Sequence, residues 1–501
     1  MSEVLKRNSN LYGDRLAVAD LNRSLNWSEL EASVMRLAGE LTVRRVEVGD
    51  RVLVLSNDRV EVVQLYFALS WISAVYVPMN HNATSDEIRY LLETVQPRLV
   101  VGEAELLTKH RAAFVGLLDA GSTMLLDDGE LDFGKTGFVG TPILGEWSSP
   151  AAIIHTSATT GRPKGAVFDH RSLKDHCLGI MASMPVSSDD VLVSCCPLFH
   201  SSAILGLAFM TAGAGIVVMP GFTPKRALQA ISKYRASHLW LTPEMLRFVL
   251  RSPGFASADL ASLREVVYGA AQMPIDLYRE AATALDVGFR QNYGMTEAGG
   301  PIALLAPEEH PDPHDLDGVD DIAAGHAAVG FSIAVRDQQG RLLPSCELGE
   351  IIAAGAGIMT GYLDRPDAYD EAVRDGWLCT GDLGYIDDSG LLHVRDRIKD
   401  VVIRGGQNIY PAEIERVLGN HPAVDSVAVV GAPDLDWGEV PVAFVVLRGE
   451  STASESELVR HVVDTMSSYK RPREIRIVPD LPRSASGKIL KRVLRAEASA
   501  Q

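Results

Sequence analysis

A stretch rich in hydroxyl groups and glycine lies between His155 and His170 and reads H-T-S-A-T-T-G-R-P-K-G-A-V-F-D-H. It follows a short apolar run at 151–154, which is typical of the end of a strand. Its hydroxyl groups, backbone N–H groups and lysine offer many hydrogen-bond donors and no negative charge, as a polyphosphate requires. The spacing differs from the G-x-x-x-x-G-K-[ST] pattern, so an ordinary P-loop is not supported. Taken alone, such a stretch is more often a surface turn.

Four further motifs follow this loop along the chain. They are Y-G-M-T-E at 293–297, T-G-D at 380–382, D-R-I-K-D-V-V-I-R-G-G-Q-N-I-Y-P-A-E-I-E at 396–415 and P-R-S-A-S-G-K at 482–488. In content and order, the set resembles the signature motifs of the adenylate-forming superfamily, which includes acyl-CoA synthetases, peptide-synthetase adenylation domains and beetle luciferases. One departure is Ala158, where the family usually has glycine. Because alanine restricts positive φ, we expect a stiffer loop here.

The resemblance implies a role for each motif residue in joining a carboxylate to the α-phosphate of ATP. An anion must attack a polyanion, so the site has to neutralise both and hold them in line. Glu297 would hold Mg²⁺, which prefers oxygen ligands, and Lys488 would reach the α-phosphate and the attacking carboxylate. The other implied contacts are to the β- and γ-phosphates (Thr156, Ser157, Thr159, Thr160, Gly161 and Lys164), the α-phosphate (Thr296), adenine (Tyr293) and the ribose (Asp382 and Arg397).

Each of these residues also has a purely structural interpretation. Asp382 fits a turn, Glu297 fits a carboxylate at a helix N-terminus, and Lys488 lies in a basic tail that is typical of a solvated face or a nucleic-acid patch. The complete set of motifs favours the chemical roles. Part of the basic tail, including Lys470 and Arg471, could meet the phosphates of coenzyme A.

The resemblance further implies a two-position cycle, in which a C-terminal domain swings between adenylation and thioester formation. We expect an adenylating domain at 1–396 and a mobile domain at 397–501, with the hinge at Lys399. Gly405 and Gly406 would line a tunnel for pantetheine, since adjacent glycines let the backbone approach a thin ligand. A plain turn is the alternative for these glycines.

The carboxylate substrate is only partly defined by the sequence. Amino-acid-adenylating relatives carry an aspartate near the stretch that corresponds to 197–203, where this chain has no acid. Burying an uncompensated ammonium is costly, so an amino acid is disfavoured. Fatty and aryl acids both fit a pocket bordered by Phe199, His200, Tyr268, Gly269, Ala270, Ala271 and Met273.

The thiol acceptor predicted for this chain is coenzyme A. The insertion typical of fatty acyl-AMP ligases is not evident around 330–349, which favours coenzyme A over a carrier protein. The alternatives are a free-standing enzyme that loads an acyl carrier protein, and a non-catalytic acyl or nucleotide binder. Because a binder need not keep Lys164, Glu297, Asp382 and Lys488, their presence favours an enzyme.

Composition excludes several other classes of protein. The chain has 501 residues, of which 47% are apolar and 22% charged, as in a soluble globular protein of two or more domains. Its net charge of −18 disfavours general nucleic-acid binding. The first seven residues lack an apolar signal core, so a cytoplasmic protein is expected. Five cysteines without C-x-x-C spacing (Cys177, Cys195, Cys196, Cys346 and Cys379) are predicted to be reduced, buried thiols.

Two other stretches suggest functions only weakly. The segment 201–223 has no charged residue and is long enough to span a membrane. Glycines and a proline interrupt it, so we predict a helix at about 202–212 followed by a buried strand at 216–219. His310, His314 and His326 lie in a loop, and their spacing lacks the framework of a metal site.

The order of the elements predicts an α/β fold. Strands at 51–55, 75–78 and 99–101 alternate with helices at 62–74 and 84–92, which indicates doubly wound parallel sheets in a large N-terminal domain. Short strands dominate from 330 to 393 and predict a small β-rich subdomain. Helix and strand patterns beyond 411 predict a compact α+β domain.

Overall fold

The computed structural model describes residues 1–118, 121–126, 140–156, 162–319, 321–449, 451–483 and 489–499. The helices of the described residues are α1 Ser2–Tyr12, α2 Trp27–Val43, α3 Val60–Trp71, α4 Ser85–Val95, α5 Ala104–Lys109, α6 Arg111–Phe114, α7 His170–Ser183, α8 Ala203–Ala212, α9 Pro224–Tyr234, α10 Pro243–Leu250, α11 Ile275–Ala284, α12 Pro366–Ala372, α13 Pro411–Gly419, α14 Glu455–Thr465 and α15 Lys491–Ser499.

Polar caps define where several of these helices begin. Asn26 accepts the N–H of Glu29, and the Glu29 carboxylate accepts the N–H of Asn26, so α2 begins with a capping box. Thr84 and Glu87 form the same arrangement at α4. The helix predicted at 84–92 therefore begins as expected but continues to Val95, and the one predicted at 62–74 lies at 60–71. Such shifts arise because an apolar pattern marks a face and not its ends.

A nine-stranded sheet forms one half of the large domain, in the order β15-β14-β13-β12-β11-β9-β10-β1-β2. Its strands from β13 to β1 are parallel, and the others are antiparallel. Their bounds are β1 Leu16–Ala19, β2 Ser24–Asn26, β9 Val191–Ser194, β10 Gly215–Val218, β11 His238–Leu241, β12 Glu265–Gly269, β13 Gly288–Met295, β14 Gly300–Leu305 and β15 His326–Ala327.

A seven-stranded sheet forms the other half, in the order β18-β8-β7-β4-β3-β5-β6. It is parallel from β7 to β6, whereas β8 and β18 are antiparallel to their neighbours. The bounds are β3 Arg51–Leu55, β4 Val75–Met79, β5 Leu99–Gly102, β6 Thr123–Leu125, β7 Pro150–His155, β8 Gly165–Asp169 and β18 Gly361–Tyr362.

One continuous hydrophobic core joins the two large sheets. It includes side chains from both of them and from the helices α3, α7 and α8. Every residue of α3 is buried, which explains why this helix is apolar on all sides. The parallel strands of each sheet end at a common edge, and loops that follow such ends are where α/β proteins build their sites.

Two smaller sheets complete the fold. An antiparallel sheet contains β16 Phe331–Arg336, β17 Gly349–Gly355, β19 Val373–Arg374, β20 Trp377–Ile386 and β21 Leu392–Arg397. The C-terminal sheet contains β22 Val402–Arg404, β23 Gln407–Ile409, β24 Val424–Asp434, β25 Gly438–Leu447 and β26 Glu474–Ile477. Alternate residues of β24 and β25 enter separate core clusters on the two faces of this last sheet.

The predicted fold class is confirmed, whereas the prediction of five buried cysteines is only partly correct. The charge-free segment forms α8 and β10, close to the predicted helix and strand. Within the described residues no helix is both long and apolar enough to cross a membrane. Cys177, Cys195 and Cys196 are buried as expected, but Cys379 is only partly buried and Cys346 is exposed, so the prediction of buried thiols is wrong for these two. Cys346 has φ of +64° in a turn before β17, where surrounding side chains do not cover it.

Candidate active site

The strands β7 and β8 hold the two ends of the hydroxyl-rich loop together. The N–H of Thr156 donates to the carbonyl of Lys164 at 2.9 Å, and the N–H of Lys164 donates to the Thr156 hydroxyl at 3.2 Å. This pairing places the lysine at the carboxyl end of β7. Ser157, Ala158, Thr159, Thr160 and Gly161 lie outside the described residues.

Tyr362 connects this loop to the Y-G-M-T-E motif. Its ring lies beneath the Lys164 ammonium, with 4.4 Å between Nζ and the ring centroid, and its hydroxyl donates to Glu297 Oε1 at 2.8 Å. Burial and the neighbouring Glu297 raise the pKa of Tyr362 above its usual range, so the phenol stays a neutral donor. The Glu297 carbonyl accepts the N–H of Met359 at 2.9 Å, which fixes the turn at 296–298.

Sequence reasoning missed Tyr362. Its strand β18 is only two residues long and lies beside β8 through pairing at Gly361 and Tyr362. No periodicity over two residues could have revealed that pairing, because the partner strand is almost 200 positions away along the chain. Through Tyr362 the structure thereby connects residues from two separate sequence motifs.

Tyr293, Asp382 and Arg397 form a second group at the same edge. The Tyr293 hydroxyl donates to Asp382 Oδ2 at 2.7 Å, and Arg397 Nε lies 2.9 Å from Asp382 Oδ1. Asp382 and Arg397 are direct partners across β20 and β21. Burial, together with Asp382, raises the pKa of Tyr293 well above its usual value. Of the three residues predicted to bind adenine and ribose, Asp382 therefore contacts both of the others.

Aromatic and histidine side chains follow β9. The ring centroids of Phe199 and His200 are 4.3 Å apart, and those of His81 and Phe199 are 5.5 Å apart. Burial, reinforced by His81, lowers the pKa of His200 to about 4. At neutral pH the His200 imidazole is therefore uncharged.

The other predicted acyl-pocket residues follow β12 and differ in their surroundings. Tyr268 is fully buried, and its hydroxyl lies 3.1 Å from Gln291 Oε1 and 2.9 Å from His310 Nε2. A Cβ on Gly269 would lie 2.4 Å from the carbonyl oxygen of Asn292, so only glycine fits there. The remaining members of the set are Ala270 and Ala271, which are exposed, and Met273, which is buried.

A further internal cavity of about 50 Å³ lies between the two large sheets. The sequence prediction missed it because its walls come from elements that are far apart in the chain. They are provided by Val62, Val63 and Tyr66 of α3, Tyr76 of β4, Ala152 and Ile154 of β7, Leu173 of α7, Leu198, Ala203, Ile204 and Leu207 around α8, Ile216 of β10, and Gly299.

Ion pairs hold the C-terminal part of the chain against α10 and α11. Arg251 lies 2.6 Å from Asp425, and Arg448 lies 3.3 Å from Asp276. Arg483, the second residue of the P-R-S-A-S-G-K motif, lies 3.3 Å from Glu244.

Glu244 follows β11, so this contact lies at the edge where β9 and β13 also end. Arg483 and Ile489 form an isolated backbone bridge that brackets the segment between them. Lys488 itself lies outside the described residues.

The predicted hinge lies between β21 and β22. Lys399 is in the short 3₁₀ turn 398–400, and burial together with Arg397 lowers the pKa of its ammonium. Asp400, next to it, forms an ion pair with Arg495 at 2.5 Å. A charged turn of three residues therefore separates the β-rich sheet from the C-terminal sheet.

Gly405 and Gly406 form the turn between β22 and β23. Both have positive φ, +57° and +82°. The N–H of Gly405 donates to the Trp437 carbonyl at 2.8 Å, and a Cβ on Gly405 would lie 2.8 Å from the Trp437 ring. Gly405 is therefore required both by its backbone conformation and by the close approach of the indole.

The loop histidines have partners within the protein. His310 Nδ1 lies 2.9 Å from the Ala306 carbonyl, and His326 Nε2 lies 3.0 Å from Glu309. No group of three or more His, Cys, Asp and Glu side chains in the described ranges is arranged to hold a metal ion. The backbone N–H of His314 donates to the Asp312 carboxylate at 2.9 Å.

Comparison with known proteins identifies the family. A family model described as AMP-binding enzyme matches residues 5–363, and one described as AMP-binding enzyme C-terminal domain matches residues 413–488. The chain therefore belongs to the AMP-binding enzyme family, and the resemblance seen in its motifs is confirmed.

Individual relatives match over nearly the whole chain. A feruloyl-CoA synthase of an Amycolatopsis species is 33% identical over 483 residues, covering 96% of this chain and 95% of the relative. ScoC of Streptomyces coeruleorubidus, a fatty acid–[acyl-carrier-protein] ligase, is 34% identical over 498 residues, covering 96% and 92%. The crystal structure of ATP-bound MatB from Rhodopseudomonas palustris has a TM-score of 0.90 at 29% identity and covers 100% of this chain and 99% of MatB.

Proposed function

We propose that this chain is an acid–thiol ligase, an ATP-dependent acyl-CoA synthetase. It activates a non-amino carboxylic acid as an acyl-adenylate, releases pyrophosphate, and transfers the acyl group to coenzyme A with release of AMP. The observation that supports this proposal most directly is that Tyr362 contacts both Lys164 and Glu297, which come from two separate motifs. A cation, a neutral donor and a carboxylate side by side suit a metal-bound polyphosphate.

The second group of residues suits the nucleoside. Asp382 is acceptor-only when ionised and would receive the ribose hydroxyls, with Arg397 holding its other oxygen. Tyr293 is held by Asp382 and would place its ring against adenine. Because Tyr293 and Arg397 already hold the Asp382 carboxylate in place, little side-chain reorganisation is needed when the nucleotide binds.

The phosphate side is assigned to the loop 156–164 and to Thr296. Glu297 and Thr296 carry oxygen atoms, the ligand type that Mg²⁺ prefers, so the residues present fit this ion. When bound, Mg²⁺ would neutralise phosphate charge. We assign Lys488 to the α-phosphate and the attacking carboxylate, because Arg483 of the same motif contacts Glu244 beside the carboxyl ends of the strands. A cation there would stabilise charge that develops in the transition state.

The acyl group would lie beside Phe199 and His200, where burial keeps the imidazole neutral. Gly269, Ala270, Ala271 and Met273 would border the same space. The absence of an acidic side chain at 197–203 supports a non-amino acid. One relative is named for ferulate and another for fatty acids, so both classes belong in the test.

Coenzyme A is the proposed acceptor, and we assign its pantetheine arm to the turn at Gly405 and Gly406. The adenylating part is proposed to span 1–396 and the mobile part 397–501, with rotation at Lys399. Lys470 is paired with Glu413, and the neighbouring Arg471 completes a basic rim that suits coenzyme A phosphates. Both substrates are nucleotides of the cell interior, so the proposed location is the cytoplasm.

An acyl carrier protein is the second candidate acceptor. The observation that favours it is the match to ScoC, which is named for that reaction. A carrier protein presents the same phosphopantetheine thiol, so the turn at Gly405 and Gly406 suits either acceptor.

The test is pyrophosphate release with a panel of fatty acids, benzoates and cinnamates, measured alone, with coenzyme A and with a phosphopantetheinylated carrier protein. Turnover that requires coenzyme A supports the main proposal. Turnover only with the carrier protein supports the second candidate. ATP binding without pyrophosphate release for any acid would contradict both and leave the non-catalytic binder. Lys164→Met, which keeps the length of the side chain without its charge, is the inactive control.

A further inference from the structure

Arg247 of α10 is a buried arginine whose guanidinium is incompletely hydrogen-bonded. The residue is 5% exposed, and among the described residues neither its Nε nor its Nη1 has a hydrogen-bond partner. A guanidinium keeps its positive charge in proteins and has five N–H donors. Donors that are unsatisfied and shielded from water are costly, and native structures pair nearly all of them. A partner that reaches these two nitrogen atoms in another position of the chain would remove that cost.

Two carboxylates lie just beyond hydrogen-bond distance of these donors. Arg247 Nε is 3.7 Å from Glu244 Oε2, and Arg247 Nη1 is 4.0 Å from Asp276 Oδ2. Both acids lie in the first turn of a helix, α10 and α11 respectively, where the helix dipole favours a negative charge. An N–H···O bond needs about 3 Å between the heavy atoms. Arg247 therefore attracts both carboxylates without bonding to either of them.

The C-terminal part of the chain contacts the same two carboxylates. Glu244 Oε1 lies 3.3 Å from Arg483 Nη2. Asp276 Oδ2 accepts a hydrogen bond from Arg448 Nη2 at 3.3 Å. Each carboxylate is therefore shared between the buried Arg247 and one arginine of the C-terminal part, and the arginine of the C-terminal part is the nearer of the two.

We infer that Arg247 is a positioning residue that exchanges partners with the C-terminal part during the reaction. While Arg483 and Arg448 are in place, Arg247 orients the two carboxylates by charge alone. When the C-terminal part moves away for acyl transfer, a side-chain shift of about 1 Å lets Arg247 donate to Glu244 and Asp276. The inference rests on the proposed function, because it concerns the proposed movement of the C-terminal domain.

This exchange lowers the free-energy cost of moving the C-terminal part. The side chains of Glu244 and Asp276 are 19% and 35% exposed, so departure of their partners would leave two partly buried carboxylates without a bonded cation. Bonds from Arg247 replace those that are lost and also satisfy its Nε and Nη1. The two positions thereby become closer in free energy, as a cycle that visits both in each turnover requires.

Arg247→Met tests the exchange, because it removes the charge and the donors and keeps an extended side chain. The two half-reactions are measured separately, with the acid and the thiol acceptor that the wild type uses best. Adenylate formation, followed by pyrophosphate–ATP exchange, should keep its wild-type rate, since Arg483 and Arg448 still pair with the carboxylates in that position. Single-turnover transfer from preformed acyl-adenylate to the thiol should slow about threefold to tenfold, as expected for losing one or two partly exposed ionic hydrogen bonds.

Further variants separate positioning from folding. Arg247→Lys keeps the charge but offers a single ammonium in place of the planar fork, so it should restore only part of the transfer rate. Adding Glu244→Gln and Asp276→Asn to Arg247→Met removes the unpaired carboxylates and should restore transfer while it lowers the exchange rate. The matched control is Arg290→Met, since Arg290 is 4% exposed and pairs with Glu265 within the nine-stranded sheet. That control should lower stability and leave the ratio of the two rates unchanged.

The inference is overturned if Arg247→Met slows both half-reactions equally or transfers at the wild-type rate, and in either event the proposed function stands. If Arg247→Met does not fold, Arg247→Lys decides the matter. Selective slowing of transfer in that variant supports the inference, and an unchanged ratio of the two rates overturns it. Absence of pyrophosphate–ATP exchange in the wild type with every acid of the panel would overturn the proposed function and this inference together.

Discussion

The ammonium of Lys164 lies 4.4 Å above the ring centroid of Tyr362, whose hydroxyl at the same time donates to Glu297. One tyrosine therefore touches both the cation proposed for the phosphates and the carboxylate proposed for Mg²⁺. Its ring supports the lysine by a cation–π contact, and its hydroxyl sets the direction of the carboxylate.

Tyr362→Phe should separate these two effects. Phenylalanine keeps the ring beneath Lys164 but leaves Glu297 Oε1 without its donor, so we expect the Mg²⁺ concentration at half-maximal rate to rise several-fold. A loss of about 1 kcal/mol, or roughly fivefold in kcat/KM for ATP, corresponds to one hydrogen bond. Tyr362→Leu removes the ring as well and should lower kcat/KM further. Titration of Mg²⁺ at fixed ATP measures the effect.

The control for this series is Tyr369→Phe on the neighbouring helix α12, which should leave the Mg²⁺ dependence unchanged. If Tyr362→Phe lowers only thermal stability and keeps the wild-type Mg²⁺ curve, the tyrosine has a packing role and no part in positioning Glu297.

Asp382→Asn should weaken nucleotide binding more than it weakens folding. The amide keeps the size of the side chain but removes the charge that faces Arg397 at 2.9 Å and changes the acceptor of Tyr293. Because Asp382 is 5% exposed and Arg397 is partly solvated, we expect a destabilisation of about 1–3 kcal/mol. Calorimetric titration with ATP should show a loss of affinity of about tenfold or more.

Asp387→Asn in the turn of the same hairpin is the matched control, since it lies outside the proposed ribose contact. Equal losses of ATP affinity in both variants would mean that the hairpin as a whole, and not the Asp382 carboxylate, supports the nucleotide.

The sequence predicts the chemistry of this site better than its walls. Motif residues such as Asp382 and Arg397 are recognisable because each lies in a run with fixed spacing, and the structure brings them into contact. Tyr362 and Tyr66 carry no such pattern. Their positions depend on pairing of β18 with β8 and on how α3 packs between two sheets, and both are long-range consequences of the whole fold.

The helices and strands show the same contrast between local patterns, which the sequence predicts, and long-range packing, which it does not. Helix α4 begins close to its predicted start at 84, because the capping interaction between Thr84 and Glu87 is local. The end of α4 at Val95 was not predicted, since Gln96 ends it in a left-handed conformation at φ of +46° without the usual glycine. Strands β1 and β2 join the nine-stranded sheet, whereas β3, the next strand along the chain, joins the seven-stranded sheet, an arrangement that no local pattern specifies.

Stability should depend on pH through His393. Its ring lies between Asp321 and Asp387, with both contacts at 3.2 Å. Burial alone would lower the pKa of His393, but the hydrogen bonds and charges of Asp321 and Asp387 raise it. A raised pKa in the folded state stabilises fully below the unfolded pKa of about 6.5, and the contribution is lost as pH rises through the folded value.

The expected result is a pH-dependent difference between the wild type and His393→Gln in their free energies of unfolding. The wild type should be the more stable at about pH 6, and the gap should shrink towards about pH 9. Urea unfolding at several pH values measures it. Because Arg395 also lies 3.4 Å from Asp321, that carboxylate keeps a partner when His393 is neutral. A gap that stays constant with pH would show that His393 contributes packing and not charge.

The ion pairs between the C-terminal part and α10–α11 should bias the proposed movement of the C-terminal domain. Arg251 and Asp425 are 37% and 26% exposed at their side chains, so the pair contributes less than about 1 kcal/mol. Asp425→Arg places like charges together and should slow adenylate formation about twofold to fivefold, measured by pyrophosphate–ATP exchange. Acyl transfer from preformed acyl-adenylate to coenzyme A should be unaffected or faster, because the domain leaves this position more readily.

The charge-swapped variant Arg251→Asp/Asp425→Arg restores the attraction with reversed signs and should recover the exchange rate. Raising the salt concentration should reduce the effect of the single variant, since exposed charges are screened. A single variant that slows both half-reactions equally, or a double variant that fails to recover, would mean that these residues support folding of the C-terminal sheet and do not set the position of the domain.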